Sequence, residues 1–120
     1  MTTLTLHATG PVDPAEVWER YAVPGRWSEW SPQITGVEGP VERLAAGAAV
    51  PFRVEDVDEV ARRWLWQVHV GPVRLRLLHW VQSAPDGGTT TGLRITGPLP
   101  IVLGYAPAAL LALRRLVRPL

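Results

Sequence analysis

Two side chains of this sequence combine proton-transfer chemistry with apolar surroundings. His79 lies in VRLRLLHWVQS, flanked at two-residue spacing by Leu77 and Val81, and Tyr105 lies in LPIVLGYAPAAL among aliphatic residues. A neutral imidazole on an apolar face can act as general base or orient a carbonyl, with a phenol hydroxyl as its partner. The same histidine can equally be a core residue hydrogen-bonded to one backbone or hydroxyl group. His7 and His69 are distant in sequence and His69 falls on the opposite strand face, so no three-histidine metal site is expected. The acidic stretch Glu55, Asp56, Asp58, Glu59 lacks the central Gly and terminal Glu of a calcium loop and reads as a solvated turn. No metal and no cofactor is expected.

Other chemistries are absent by composition or motif. The sequence has no cysteine, which removes disulfides, thiolate metal sites and cysteine nucleophiles. It holds no nucleophile elbow, phosphate loop or dinucleotide fingerprint. Its 12 basic residues, all arginine, nearly balance 11 acidic ones, so no global field points to nucleic acid or to an anionic membrane. Arg74, Arg76 and Arg94 form a basic stripe on one sheet face, read as solvated surface that can meet an anionic partner. Trp27 and Trp30, three apart, either cover a pocket mouth or anchor a helical turn to the sheet, and the anchor is the preferred reading.

The elements that position these groups follow from period and punctuation. At 120 residues the chain fits one domain, 1–120, able to bury roughly two-thirds of the surface of its unfolded form. Thr/Leu alternation over 2–8 predicts a first strand. Asp13, Pro14 and Glu16 give an N-cap, a first-turn proline and a capping-box acid, so a helix starts there and ends before Pro24-Gly25. A short helix or turn follows in RWSEWSPQI (26–34), stopped by Pro32. Residues 34–38, 49–55, 60–70, 73–83 and 89–96 alternate at period two, separated by Gly39-Pro40, the acidic turn at 55–59, Gly71-Pro72 and Asp86-Gly87-Gly88. Short turns between neighbouring strands mean an antiparallel meander. The Ala/Leu-rich stretch at about 103–118 is one long helix.

The alternation also assigns faces. Phe52, Trp64, Trp66, Leu75, Leu77, His79, Leu93 and Ile95 share the concave face, and Trp80 the other. An antiparallel sheet of this size coils, and a helix across its concave side leaves a wedge lined by those residues, with Tyr105 reaching in from the helix. Each apolar member can also simply fill the core.

The element order, the RWSEWSPQI segment, the RRWLWQVHV strand (62–70) and the PDGGT turn (85–89) resemble the polyketide cyclase/dehydrase and lipid-transport group of the START-like, Bet v 1-like (SRPBCC) superfamily. The likeness spans roughly 4–118, and its motifs hold a framework without defining a reaction. It implies an α+β helix-grip fold of about six strands around the C-terminal helix, with an internal cavity for lipids, polyketides or other hydrophobic compounds. This chain is short, so a smaller cavity than usual is expected.

The leading functional expectation is noncovalent binding of a hydrophobic small molecule by Phe52, Trp64, Trp66, Leu75, Leu77, Leu93 and Ile95. The first alternative is a polyketide cyclase/dehydrase of aromatase type, a lyase or isomerase with His79 or Tyr105 as acid/base. The second is a homodimeric interaction module. The N-terminus lacks a basic, then apolar, signal pattern, which makes a cytoplasmic location the default. Arg114, Arg115, Gly104 and Pro107 interrupt the apolar C-terminal stretch and argue against stable membrane insertion.

Overall fold

A computed structural model describes residues 2–31, 34–38, 41–44, 49–70 and 72–119; for 24, 34–38, 41–44, 49, 50 and 70 it gives backbone only. The elements are β1 (Thr2–Gly10), α1 (Pro14–Ala22), a single 3-10 turn (Pro24–Arg26), α2 (Trp27–Trp30), β2 (Ile34–Glu38), β3 (Val41–Leu44), β4 (Ala49–Asp58), β5 (Arg63–Val70), β6 (Val73–Ser83), β7 (Thr89–Gly97) and α3 (Leu99–Leu116). The strands form one sheet in the order β1-β7-β6-β5-β4-β3-β2, antiparallel throughout. The fold is α+β helix-grip, as the alternation and turn signals imply.

One strand and three boundaries differ from expectation. The sheet has seven strands rather than about six, because Val41–Leu44 forms a short strand between β2 and β4. β4 runs on through the acidic stretch to Asp58, taking up one residue in a bulge between Val54 and Asp56. The turn comes after it, where Asp58 Oδ1 accepts from the Val60 and Ala61 amides at 3.1 and 2.9 Å and Arg62 takes a left-handed φ of 55°. β5 therefore starts at Arg63, not at residue 60. α3 starts at Leu99, because Pro100 sits in the first helical turn, where its missing N–H costs nothing. The expected breaks at Pro32, Gly39-Pro40 and Gly71 lie outside the described residues.

Other local signals act as expected. Asp13 caps α1 by accepting from the Ala15 amide at 3.0 Å, with Pro14 at the first position. Glu16 does not complete a capping box; it pairs instead with Arg20 at 3.3 Å and Arg26 at 3.1 Å. In the β6–β7 hairpin Gly87 has φ of 91°, and the Gly88 amide donates to Asp86 Oδ1 at 3.2 Å.

The inner sheet face and α3 enclose the core. Leu75, Leu77, His79 and Val81 of β6, Trp64, Trp66 and Val68 of β5, and Leu93 and Ile95 of β7 are all buried. Arg74, Arg76 and Arg94 alternate with them on the outer face and are exposed. Trp80 is on that outer face too, lying across Gly92, where any Cβ would strike its ring, with its edge toward His7. α3 covers the inner face with Val102, Ala109, Ala112, Leu113 and Leu116.

The C-terminal end of α3 is stitched down by α1 and its approach. Arg20 is buried, and its Nη1 donates to the Leu116 and Arg118 carbonyls at 3.0 and 2.7 Å. This satisfies carbonyls that a helix end leaves open and places a cation at the negative end of the helix dipole. The Val12 amide donates to the Val117 carbonyl at 3.2 Å, and only glycine at position 10 leaves room for that carbonyl.

Candidate functional site

An aromatic cluster fills most of the space between sheet and helix. Trp27 of α2 stands 5.1 Å from Phe52, 5.1 Å from Trp66 and 5.5 Å, edge on, from Trp64. Tyr21 of α1 packs 4.8 Å from Trp64 and 3.8 Å from the His79 ring. Edge and tilted geometries of this kind suit aromatic quadrupoles. α2 is fixed by its own rings: Trp27 Nε1 donates to the Tyr21 carbonyl at 2.7 Å, and Trp30 Nε1 donates to the Arg20 carbonyl at 3.0 Å. The two tryptophans thus cap the last turn of α1 and anchor α2 to it.

What remains open is a cavity of about 20 Å³, the room of roughly one water molecule. Tyr21, Trp27, Trp30 and Ser31 close it from the α1–α2 side, Trp66, His79 and Leu93 from the sheet, and Tyr105, Ala109, Ala112 and Leu113 from α3. The wedge expected from sheet curvature is therefore present but nearly filled by rings.

The polar atoms of this cavity are its informative feature. Trp66 Nε1 and His79 Nε2 are both buried and have no hydrogen-bond partner among the described residues. Most buried polar groups are paired, and each exception costs about 1–3 kcal/mol. Burial pushes the His79 pKa down from 6.5 to about 3, so the ring is neutral at physiological pH. Trp66 can only donate, and a neutral imidazole nitrogen donates or accepts according to tautomer. A hydroxyl or carbonyl oxygen, or an ordered water, is the kind of partner that each of the two nitrogens lacks.

The expected site residues divide into two groups. Trp66, His79, Leu93 and Tyr105 border the cavity. Phe52, Trp64, Leu75, Leu77 and Ile95 are buried but do not border it; they pack against protein in the surrounding core. Tyr21, Ser31 and the alanine face of α3, Ala109 and Ala112, also line the cavity, and strand alternation does not point to them. Their signal was present in part: Tyr21 lies one helical turn from Val17 and Trp18, and the small residues of α3 are those that permit a gap beside a sheet. His69 is turned outward and His7 is exposed on the outer face. Among the described residues no group of three His, Asp or Glu side chains is placed to hold a metal ion.

No protein-family model matches the chain, and no curated protein matches its sequence. Solved structures do match. XoxI from Bacillus cereus superposes with a TM-score of 0.81 at 16% identity, covering 98% of this chain and 96% of that one. BexL, the di-domain ARO/CYC of the BE-7585A biosynthetic pathway, superposes with a TM-score of 0.82 at 18% identity over 98% of this chain. This chain spans only 46% of BexL. Ara h 8.0201 superposes with a TM-score of 0.72 at 17% identity over 96% of this chain and 94% of that one. At such identities the likeness is one of fold.

Proposed function

We propose that this chain, built on the helix-grip fold of the START-like, Bet v 1-like superfamily, binds a compact hydrophobic molecule carrying a hydroxyl or carbonyl oxygen between its sheet and α3. The observation that carries this reading is that Trp66 and His79 line one cavity and that Trp66 Nε1 and His79 Nε2 are buried without partners among the described residues. The apolar walls supply affinity and the two nitrogens fix the oxygen. Drug-sized ligands need roughly 300–1,000 Å³, so the arrangement described is a closed one and binding must displace α3 or rotate rings. α3 is weakest where this is needed. Pro107 lies inside the helix and has no N–H for the Leu103 carbonyl, and Gly104 adjoins Tyr105 on the cavity wall.

The test uses tryptophan fluorescence titrated with 1-naphthol and with naphthalene. Naphthol should bind about tenfold more tightly, the worth of one or two hydrogen bonds. His79→Phe and Trp66→Phe should each erase that preference while leaving naphthalene binding largely intact. Absence of a saturable response to either probe, together with no retained compound in native mass spectra, would sink the reading.

A second reading, an enzyme of polyketide cyclase/dehydrase type, is supported by the likeness to BexL. His79 Nε2 would take a proton from the carbon next to a ketone, with the Trp66 N–H on the resulting enolate oxygen and Tyr105 returning a proton to the product. The chemistry of His79 weighs against it. A base whose conjugate acid has a pKa of about 3 stands some four units below neutral operating pH, where general catalysis is inefficient. Turnover of a synthetic poly-ketone that falls about a hundredfold in His79→Gln would favour the enzyme over the binder.

A further inference from the structure

The solvent face of α3 carries the wrong side chains for a face that meets only water. Leu99, Leu103 and Leu111 are 51%, 56% and 48% exposed, and Pro107 between them is exposed as well. The spacing is four residues at each step, so the four side chains make one continuous stripe on the side opposite Val102, Ala109, Leu113 and Leu116. An ordinary surface helix puts charge on that side. Here no charged residue occurs from 99 to 113, and then Arg114, Arg115 and Arg118 follow, all exposed. None of the three is in an ion pair among the described residues. Glu29, which lines a surface depression with Arg115 and Arg118, is held by Arg26 at 3.1 Å. No acidic residue follows Asp86 in the sequence.

We propose that this face of α3 docks on an anionic lipid bilayer, the helix lying in the interfacial plane with its leucine stripe among the acyl chains and its arginines at the phosphates. Interfacial helices combine these two features, apolar area on one side and arginine at headgroup level. A second copy of the chain is the less suitable occupant. Three half-exposed leucines offer on the order of 200 Å² of apolar side chain, against about 800 Å² per partner in a stable protein interface. The charge also selects: three cations in no ion pair among the described residues, whose one neighbouring described carboxylate, Glu29, is already held by Arg26, complement an anionic surface rather than their own image. The helix would then have the bilayer on one face and the cavity under Tyr105 on the other. Docking does not depend on what the cavity holds, and it is measured without any ligand.

The experiment is co-sedimentation of the full chain with vesicles of phosphatidylcholine alone and with vesicles containing about a third phosphatidylglycerol. The chain should pellet with the anionic vesicles, and added salt should weaken this. Leu103→Glu combined with Leu111→Glu should abolish pelleting with an unchanged thermal midpoint, since both side chains point to solvent. Replacing Arg114, Arg115 and Arg118 by serine should lower anionic-vesicle affinity by on the order of a hundredfold. Failure to pellet with either vesicle overturns the proposal, and so does pelleting that survives both sets of substitutions. Sedimentation equilibrium showing a dimer that the leucine substitutions dissociate would assign the face to a second copy and overturn it as well.

Discussion

The two ends of α3 are held in different ways. At the C-terminal end, Ala109, Ala112, Leu113 and Leu116 are buried, Arg20 takes two carbonyls, and Val12 takes a third. Toward the N-terminal end only Val102 is fully buried, Leu99 and Leu103 face out, and Pro107 deletes one rung of the helix ladder. The cavity lies beneath the junction, under Tyr105 and Ala109. The difference teaches that the grip is fastened by polar clamps at one end and by little more than apolar contact at the other. Under the proposed binding function, a molecule would be admitted by the weak end giving way while the sheet stays intact.

The largest effect should come from unfastening the strong end. Arg20→Leu keeps volume but leaves the Leu116 and Arg118 carbonyls without their charged donor and removes the Glu16 contact. Breaking a buried charged cluster of this kind should cost about 3 kcal/mol, read from urea denaturation. Hydrogen exchange should quicken at 109–116 before it does in β6. A loss below about 1 kcal/mol would mean that apolar packing alone holds both ends, and the contrast would collapse.

The next effect sharpens the comparison between the cavity and the rest of the core. His79 has a depressed pKa in the folded state, about 3, against 6.5 as the ordinary value. Below pH 6.5 the unfolded chain binds a proton that the folded chain refuses, so the stability due to neutral His79 is fully present above 6.5 and is lost as pH falls toward 3. At pH 5 this amounts to about 2 kcal/mol relative to pH 7. Glu16, whose pKa lies below 4.5 through its bonds to Arg26 and Arg20, acts only at lower pH. His79→Phe should therefore flatten the stability profile between pH 5 and 6.5. An unflattened profile would place the titrating group elsewhere.

Sequence reasoning reads sheet faces well and the cavity poorly, for a physical reason. Strict alternation in VRLRLLHWVQS puts Leu75, Leu77, His79 and Val81 inward and Trp80 outward whatever the rest of the chain does, because a strand has only two sides. Asp13 and the PDGG turn are local devices and equally legible. The bulge at Val54/Asp56 and the short strand Val41–Leu44 are set by pairing with neighbours, so no window of sequence reveals them. The same applies to the cavity. Trp64 and Trp66 are alike in sequence and equally buried, yet Trp66 borders the open space while Trp64 is enclosed by Tyr21 and Trp27. That distinction depends on where α1 and α2 lay their rings.

The smallest effect concerns the weak end itself. Pro107→Ala restores an N–H to the Leu103 carbonyl and removes a residue that disfavours helix interiors by about 3 kcal/mol relative to Ala. The unfolded chain offsets part of this, because proline also restricts the denatured ensemble by up to about 1 kcal/mol. Because tertiary packing sets most of the stability of a helix in a protein, the net gain should be about 1 kcal/mol. Its location matters more than its size. If the turn at 103–107 is the way into the cavity, a stiffer helix should slow 1-naphthol association and weaken its apparent affinity, because the open form becomes rarer. Exchange at 101–106 should slow by a similar factor, while 109–116 should be unaffected. Stopped-flow fluorescence of Pro107→Ala that shows unchanged association, together with slowed exchange, would mean that ligand enters elsewhere, between α2 and the sheet. The two ends of α3 would then differ in stability without differing in function.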